Sequence, residues 1–160
     1  MPSLALYQPD IPQNAGTILR LCACLDVEAH VIEPVGFDLS DRSLRRAGMD
    51  YLTLVRLTRH RSWEDFTAWR AETGCRLLLL TTSGAVAYTK FAFAPEDVIL
   101  LGRESAGVPD VVHAAADARL LIPMAAGLRS LNVATAAAMV LGEALRQTNG
   151  FPVRAEPSRL

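Results

Sequence analysis

Asp97–Ala115 reads DVILLGRESAGVPDVVHAA, and the fold turns on how that stretch is parsed. Val98–Leu101 is an unbroken aliphatic run. It lacks the alternation of a strand with one wet face, so both faces of this strand must be covered. Gly102 ends the run, and GRESAGVP (Gly102–Pro109) supplies a loop. Asp110 then opens a short helical segment to Ala115, where its charge suits a helix N-terminus. Covered strand, glycine-containing loop and helix together form the repeating unit of an α/β domain.

The unit recurs on either side. Arg76–Leu80 is a strand followed by TTSG (Thr81–Gly84). Arg119–Ile122 is a strand stopped by Pro123, after which PMAAGLRSLN (Pro123–Asn132) leads into a final helix over Ser130–Gln147. Upstream, Leu4–Tyr7 and Ala29–Glu33 read as strands, and Leu52–Leu57 has strand composition. PDIPQN (Pro9–Asn14) is a loop, with Asn14 expected to cap a helix to Leu25. Ser40–Ala47 reads as a short basic helix, and Ser62 as the cap of a helix that Gly74 stops after Thr73. The predicted fold class is α/β, a mostly parallel sheet with helices on its faces. One domain is expected over residues 1–150, with a loose tail at 151–160.

Composition narrows the function classes. A net charge of −1 excludes a generally basic nucleic-acid coat, so any contact with RNA must use local clusters. One candidate cluster is Arg42, Arg45, Arg46, Arg56, Arg59, His60 and Arg61. No apolar run approaches the roughly 20 residues of a membrane span, and the N-terminus does not read as a signal peptide. A cytoplasmic protein with no membrane contact is expected. Cys22, Cys24 and Cys75 read as reduced thiols, and the three histidines show no ligand spacing with them, so no metal is expected.

Ligands of open α/β sheets bind at the carboxyl ends of strands, and all three C-terminal loops contain glycine where backbone can approach a ligand. Neither G-x-G-x-x-G after the first strand nor a G-x-x-x-x-G-K-[ST] loop is present. Asn14 and Arg20 lie on one helix: either they cap and solvate it, or they hold a phosphate there. Glu104 is either a solvated turn residue or a carboxylate aimed at a ligand. Ser130 explains itself as a helix cap. Arg129 and Asn132, beside a helix with a broad apolar face (Val133, Ala137, Val140, Leu141, Ala144), are not explained by capping alone.

Taken together, IPQNAGTILRLC, HVIEPVGF, RRAGMDY, LGRESAGVP, and IPM followed by RSLN and EALRQ resemble the SpoU group of the SPOUT superfamily of RNA methyltransferases. The likeness runs from about Leu4 to Pro152, and is greatest to members that methylate the ribose 2′-hydroxyl of the wobble nucleotide, C34 or U34, of tRNA. It implies a deep trefoil knot in the C-terminal half and a homodimer that uses the first and last helices. It implies S-adenosylmethionine as cofactor, held by Leu80, Thr81, Gly102, Glu104, Ile122, Met124, Ser130 and Leu131. It places Asn14, Arg20, Glu104, Arg129 and Asn132 around the reacting groups, and the anticodon stem-loop of tRNA as partner. Arginine resists deprotonation, so Arg20 and Arg129 are read as orienting the ribose and its phosphate, and Glu104 as organising its loop and Asn14. The same resemblance leaves room for another tRNA or rRNA target, or for a non-catalytic RNA-binding protein. Two positions depart from many relatives: Gly142 stands where Tyr is common, and Ala134 where Ser is common.

Overall fold

The computed structural model describes residues 1–37 and 53–153. Among these, seven strands form one sheet: β1 (Ser3–Tyr7), β2 (Ala29–Ile32), β3 (Leu57–His60), β4 (Arg76–Leu80), β5 (Val86–Ala87), β6 (Asp97–Leu101) and β7 (Ala118–Leu121). Their spatial order is β3-β2-β1-β6-β4-β7-β5, and every pairing is parallel. Four helices accompany them: α1 (Pro12–Cys24), α2 (Trp63–Thr73), α3 (Asp110–Ala115) and α4 (Val133–Thr148).

Register explains why the central strands are aliphatic throughout. Leu4 pairs with Ile99, and Ile99 with Leu78, so one row of side chains runs across three strands. That row joins Ile18, Leu19 and Cys22 of α1 and Ala137, Val140 and Leu141 of α4 in one buried cluster. The next row, Ala5, Leu100 and Leu79, faces the other way and packs with Phe66 of α2 and Val112 of α3. Helices therefore cover both faces. Each large aliphatic side chain removed from water in this way contributes roughly 2 kcal/mol before chain entropy is counted.

Local chemistry sets most boundaries. The Ser62 hydroxyl accepts from the Asp65 amide to start α2, and Gly74 ends it at φ 68°, both as the sequence predicts. α3 matches its predicted bounds. Other boundaries move. α1 starts at Pro12, whose fixed φ suits a first helical position, so Asn14 lies inside the first turn and Ile11 occupies the cap without a side-chain bond. α4 is capped by Asn132 rather than Ser130: its Oδ1 accepts from the amides of Ala134 and Thr135. β3 begins at Leu57, where the composition of Leu52–Leu57 had suggested it ends. β5 and a 3-10 turn at Tyr88–Lys90 have no counterpart in the sequence reading, being too short to show periodicity. The predicted helix at Ser40–Ala47 and the segment beyond Val153 lie outside the described residues.

Gly84 marks a close crossing. A Cβ there would sit 2.5 Å from the Leu120 carbonyl carbon and 2.6 Å from its oxygen, so only glycine lets this loop lie on β7. At the far end of α4, Gln147 accepts from the Phe93 amide (2.9 Å) and donates to the Phe91 carbonyl (3.0 Å). The last helix is thereby fastened to the segment that connects β5 to β6.

A buried histidine pair closes one face. His30 Nδ1 lies 3.2 Å from His60 Nε2, and Phe66 and Trp69 pack against both rings. Burial pushes the His30 imidazole down to about 4 and lowers His60 as well, so the pair is held neutral. All three cysteines are free, and burial pushes the Cys22 thiol up to about 12.

Candidate active site

Because the sheet is parallel, the segments after β1, β4, β6 and β7 all emerge at one edge. Chain order reverses between β1 and β6, the place where open α/β sheets bind ligands. A cleft of about 490 Å³ lies here, within the range of small-molecule sites. Leu80 and Thr81 come from the end of β4, Gly102 and Glu104 from the loop after β6, and Ile122 and Met124 from the end of β7. Ser130, Leu131 and Asn132 close it from the approach to α4, and Asn14 from α1. Every residue expected to hold the cofactor lines this one cleft.

The loop after β6 is a tight hairpin. Arg103 and Gly107 exchange backbone bonds of 3.0 and 2.7 Å, and Gly107 takes φ 64°. Its tip is stitched to the segment after β1. The Arg103 guanidinium donates to the Gln8 carbonyl (3.2 Å) and to Gln8 Oε1 (2.7 Å). The Asp10 amide donates to Glu104 Oε2 at 3.2 Å, and the Ser105 hydroxyl donates to the Asp10 carboxylate.

A second line of hydrogen bonds crosses the cleft mouth. Asn132, already bound through Oδ1 to the α4 amides, donates from Nδ2 to Asn14 Oδ1 at 2.9 Å. Asn14 in turn donates to the Glu104 carboxylate. Burial raises the Glu104 carboxyl above the ordinary range, and the neighbouring Asp10 side chain raises it further, while the Asp10 amide lowers it. Asp10 is held below the ordinary range, chiefly by the Glu104 side chain.

Arg20 and Arg129 are exposed, and neither lines the cleft. Part of the cluster proposed for an RNA backbone is paired within the protein. Arg56 pairs with Asp26 (3.4 Å), and Arg59 pairs with Glu33. Arg42, Arg45 and Arg46 lie outside the described residues. Among the described residues no group of histidine, cysteine and carboxylate side chains could hold a metal ion, and no helix is long and apolar enough to cross a membrane.

Sequence reasoning missed Asp10, Arg103 and Ser105. The strand-end rule, taken at β1 as well as at the C-terminal strands, points to Asp10.

A parallel α/β sheet with a glycine-looped cleft at its switch point is the architecture of a small-molecule-binding site, here with neither the dinucleotide nor the triphosphate loop. Comparison with known proteins narrows it. The chain belongs to the SpoU rRNA Methylase family, whose model matches residues 1–142. It is 67% identical over 148 residues to a tRNA (cytidine(34)-2'-O)-methyltransferase of Beijerinckia indica, covering 92% of each chain. A solved structure concerned with the 2-OH methylation of C/U34 on tRNA superposes with TM-score 0.88 at 41% identity, covering 94% of this chain and 97% of that one. The SpoU methyltransferase AviRb from Streptomyces viridochromogenes, solved with AdoMet, superposes with TM-score 0.81 at 27% identity, over 92% of this chain and 60% of that one.

Proposed function

We propose that this chain is an S-adenosylmethionine-dependent 2′-O-methyltransferase that modifies the ribose of nucleotide 34 of tRNA. The observation that carries the reading is convergence: the residues that the family resemblance assigned to the cofactor line a single cleft in a chain 67% identical to a methyltransferase of that specificity. The cleft's chemistry suits the cofactor. Apolar walls from Leu80, Ile122, Met124 and Leu131 fit an adenosyl group, and Thr81, Ser130 and Glu104 offer hydroxyls and a carboxylate to its polar end.

When bound, the cofactor supplies an electrophilic methyl on a sulfonium and a neutral thioether leaving group. That chemistry would transfer the methyl to a ribose 2′-oxygen, with the thioether as leaving group and the hydroxyl proton passed to solvent water. The protein's task is to align the two and exclude competing water. Asn132, Asn14 and Glu104 form one directed chain across the cleft mouth, which fixes the loop after β6. Arg20 and Arg129 orient the ribose and its phosphate from the exposed rim, where a charged substrate must approach.

Two architectural features belong to the same reading. The C-terminal half forms a trefoil knot, with α4 passed through the segment that follows β4. The crossing at Gly84 and the Gln147 fastening support this path. The enzyme is a homodimer built on α1 and α4, and the exposed Ile11 and Met139 supply apolar surface for it. Residues 1–150 are its one catalytic domain.

The test is transfer of tritiated methyl to total tRNA, with ribosomal RNA as parallel substrate because the family takes its name from it, followed by mass mapping of the modified nucleotide. Incorporation at nucleotide 34 is expected. Label in ribosomal RNA alone, or in neither, overturns the proposal.

A further inference from the structure

The site holds one carboxylate for which the alignment chemistry gives no task. Asp10 stands outside the cleft lining, yet three contacts join it to the loop that closes the cleft. Its amide donates to Glu104 Oε2 at 3.2 Å, its carboxylate accepts from Ser105, and its side chain hydrogen-bonds that of Glu104. Its second oxygen, Oδ1, is buried and has no donor among the described residues. Gly36 presses on it from behind: a Cβ at that glycine would lie 3.0 Å from both Asp10 Cα and Cβ. The Gly36 amide is also bonded to the Pro9 carbonyl at 2.9 Å. Asp10 cannot swing away cheaply.

Two carboxylates hydrogen-bond to each other only when one carries a proton. The orphaned oxygen and the Glu104 contact therefore have one common explanation, a proton held between the two side chains. Among the described residues, the bonds seen around the two carboxylates leave that role open. Arg103, on the same loop, spends its guanidinium on Gln8. Ser105 donates to Asp10, and Asn14 of α1 donates to Glu104. Arg20 of α1 and Arg129 before α4 are exposed and outside the cleft lining.

We propose that Asp10 is a positioning residue: with Glu104 it forms a carboxyl pair that traps one proton and so latches the loop after β6 onto the segment after β1, closing the cleft over the methyl donor. The covalent step is unchanged, since the trapped proton is neither donated to nor taken from the ribose. When the pair loses its proton, two negative charges oppose each other and the latch loosens. Burial and the mutual bond hold the Glu104 proton to higher pH than an ordinary carboxyl, which fits this role. Ligand binding that favours the closed loop must then favour the protonated pair, and by linkage must take up protons.

This inference rests on the cleft being the S-adenosylmethionine site, and the experiment separates the two. S-adenosylhomocysteine is titrated into the full-length protein by calorimetry, in buffers of different ionisation enthalpy, at half-unit steps from pH 5 to pH 9. The wild type is expected to bind with net proton uptake over the pH range where the pair titrates, and to lose affinity several-fold above that range. Asp10→Asn replaces the pair by an amide–carboxylate bond that needs no trapped proton. It is expected to bind with its proton uptake over that range abolished, and Glu104→Gln to do the same. A purely structural Asp10 would lower affinity at every pH and leave the uptake in place. No binding of S-adenosylhomocysteine to wild type at any pH refutes the site assignment. Binding without proton uptake in wild type, or equal uptake in wild type and Glu104→Gln, refutes the latch even if Asp10→Asn does not fold.

Discussion

Asn132 serves two masters, and two substitutions separate them. Its Oδ1 caps α4 through the amides of Ala134 and Thr135, and its Nδ2 donates to Asn14. Asn132→Ala removes both. A lost cap costs about 1 kcal/mol and a lost inter-element hydrogen bond about another, so a loss of about 2 kcal/mol is expected. Asn132→Asp keeps the cap, because aspartate caps as well as asparagine. It has no amide hydrogens, so Asn14 must either leave its Oδ1 without a donor or rotate its amide and donate to the new carboxylate. Rotation takes the donor away from Glu104. On either path the directed chain from Asn132 through Asn14 to Glu104 breaks. Asn132→Asp should therefore melt within about 1 kcal/mol of wild type, while S-adenosylhomocysteine affinity and single-turnover methyl transfer each fall about tenfold, near 1.4 kcal/mol. Urea melts, calorimetry and single-turnover transfer to tRNA read the three quantities. Wild-type binding and turnover in Asn132→Asp would refute the directed chain. A melt as weak as that of Asn132→Ala would refute the division into cap and site.

Three further outcomes are expected. The neutral His30–His60 pair makes the fold acid-sensitive: unfolded histidine protonates near 6.5 but folded His30 resists until about 4, so stability is intact above 6.5 and falls between those values by as much as about 3 kcal/mol. His30→Gln should flatten that fall in denaturant midpoints, and an unchanged slope would show the pair is not responsible. Gly84→Ala drives a Cβ to 2.5 Å from the β7 backbone and should cost on the order of 2 kcal/mol, measured by urea melts; a neutral result would place that crossing elsewhere. Gly142→Ala meets nothing within 4 Å, so helix propensity should raise stability by about 1 kcal/mol; a drop in melting temperature would mean that another surface occupies the space beside Gly142.

Strands and helices were legible where the local physical signal was unambiguous. Asp97–Leu101 and Arg76–Leu80 could be read because both faces are buried, and Ser62 and Gly74 because each end of α2 follows a local rule. Order across the sheet was not legible: that β4 inserts between β6 and β7 depends on side chains distant in sequence. The cap of α4 was misplaced for a related reason. Ser130 and Asn132 are equally good caps by type, and Asn132 is selected because its amide also finds Asn14, 118 residues earlier. The lining of the cleft followed from the resemblance and the strand-end rule together. Asp10 did not, since a carboxylate in a proline-rich loop acquires meaning only when Glu104 is beside it.

The walls of the cleft come from widely separated parts of the chain: Asn14 early, Leu80 and Glu104 in the middle, and Ser130–Asn132 near the start of the last helix. A growing chain on the ribosome would thus carry the first strands and the β6 loop well before it had a place to hold a ligand. The final wall arrives with α4, whose far end is fastened by Gln147 to Phe91 and Phe93. The cleft therefore has all its walls only once α4 is in place.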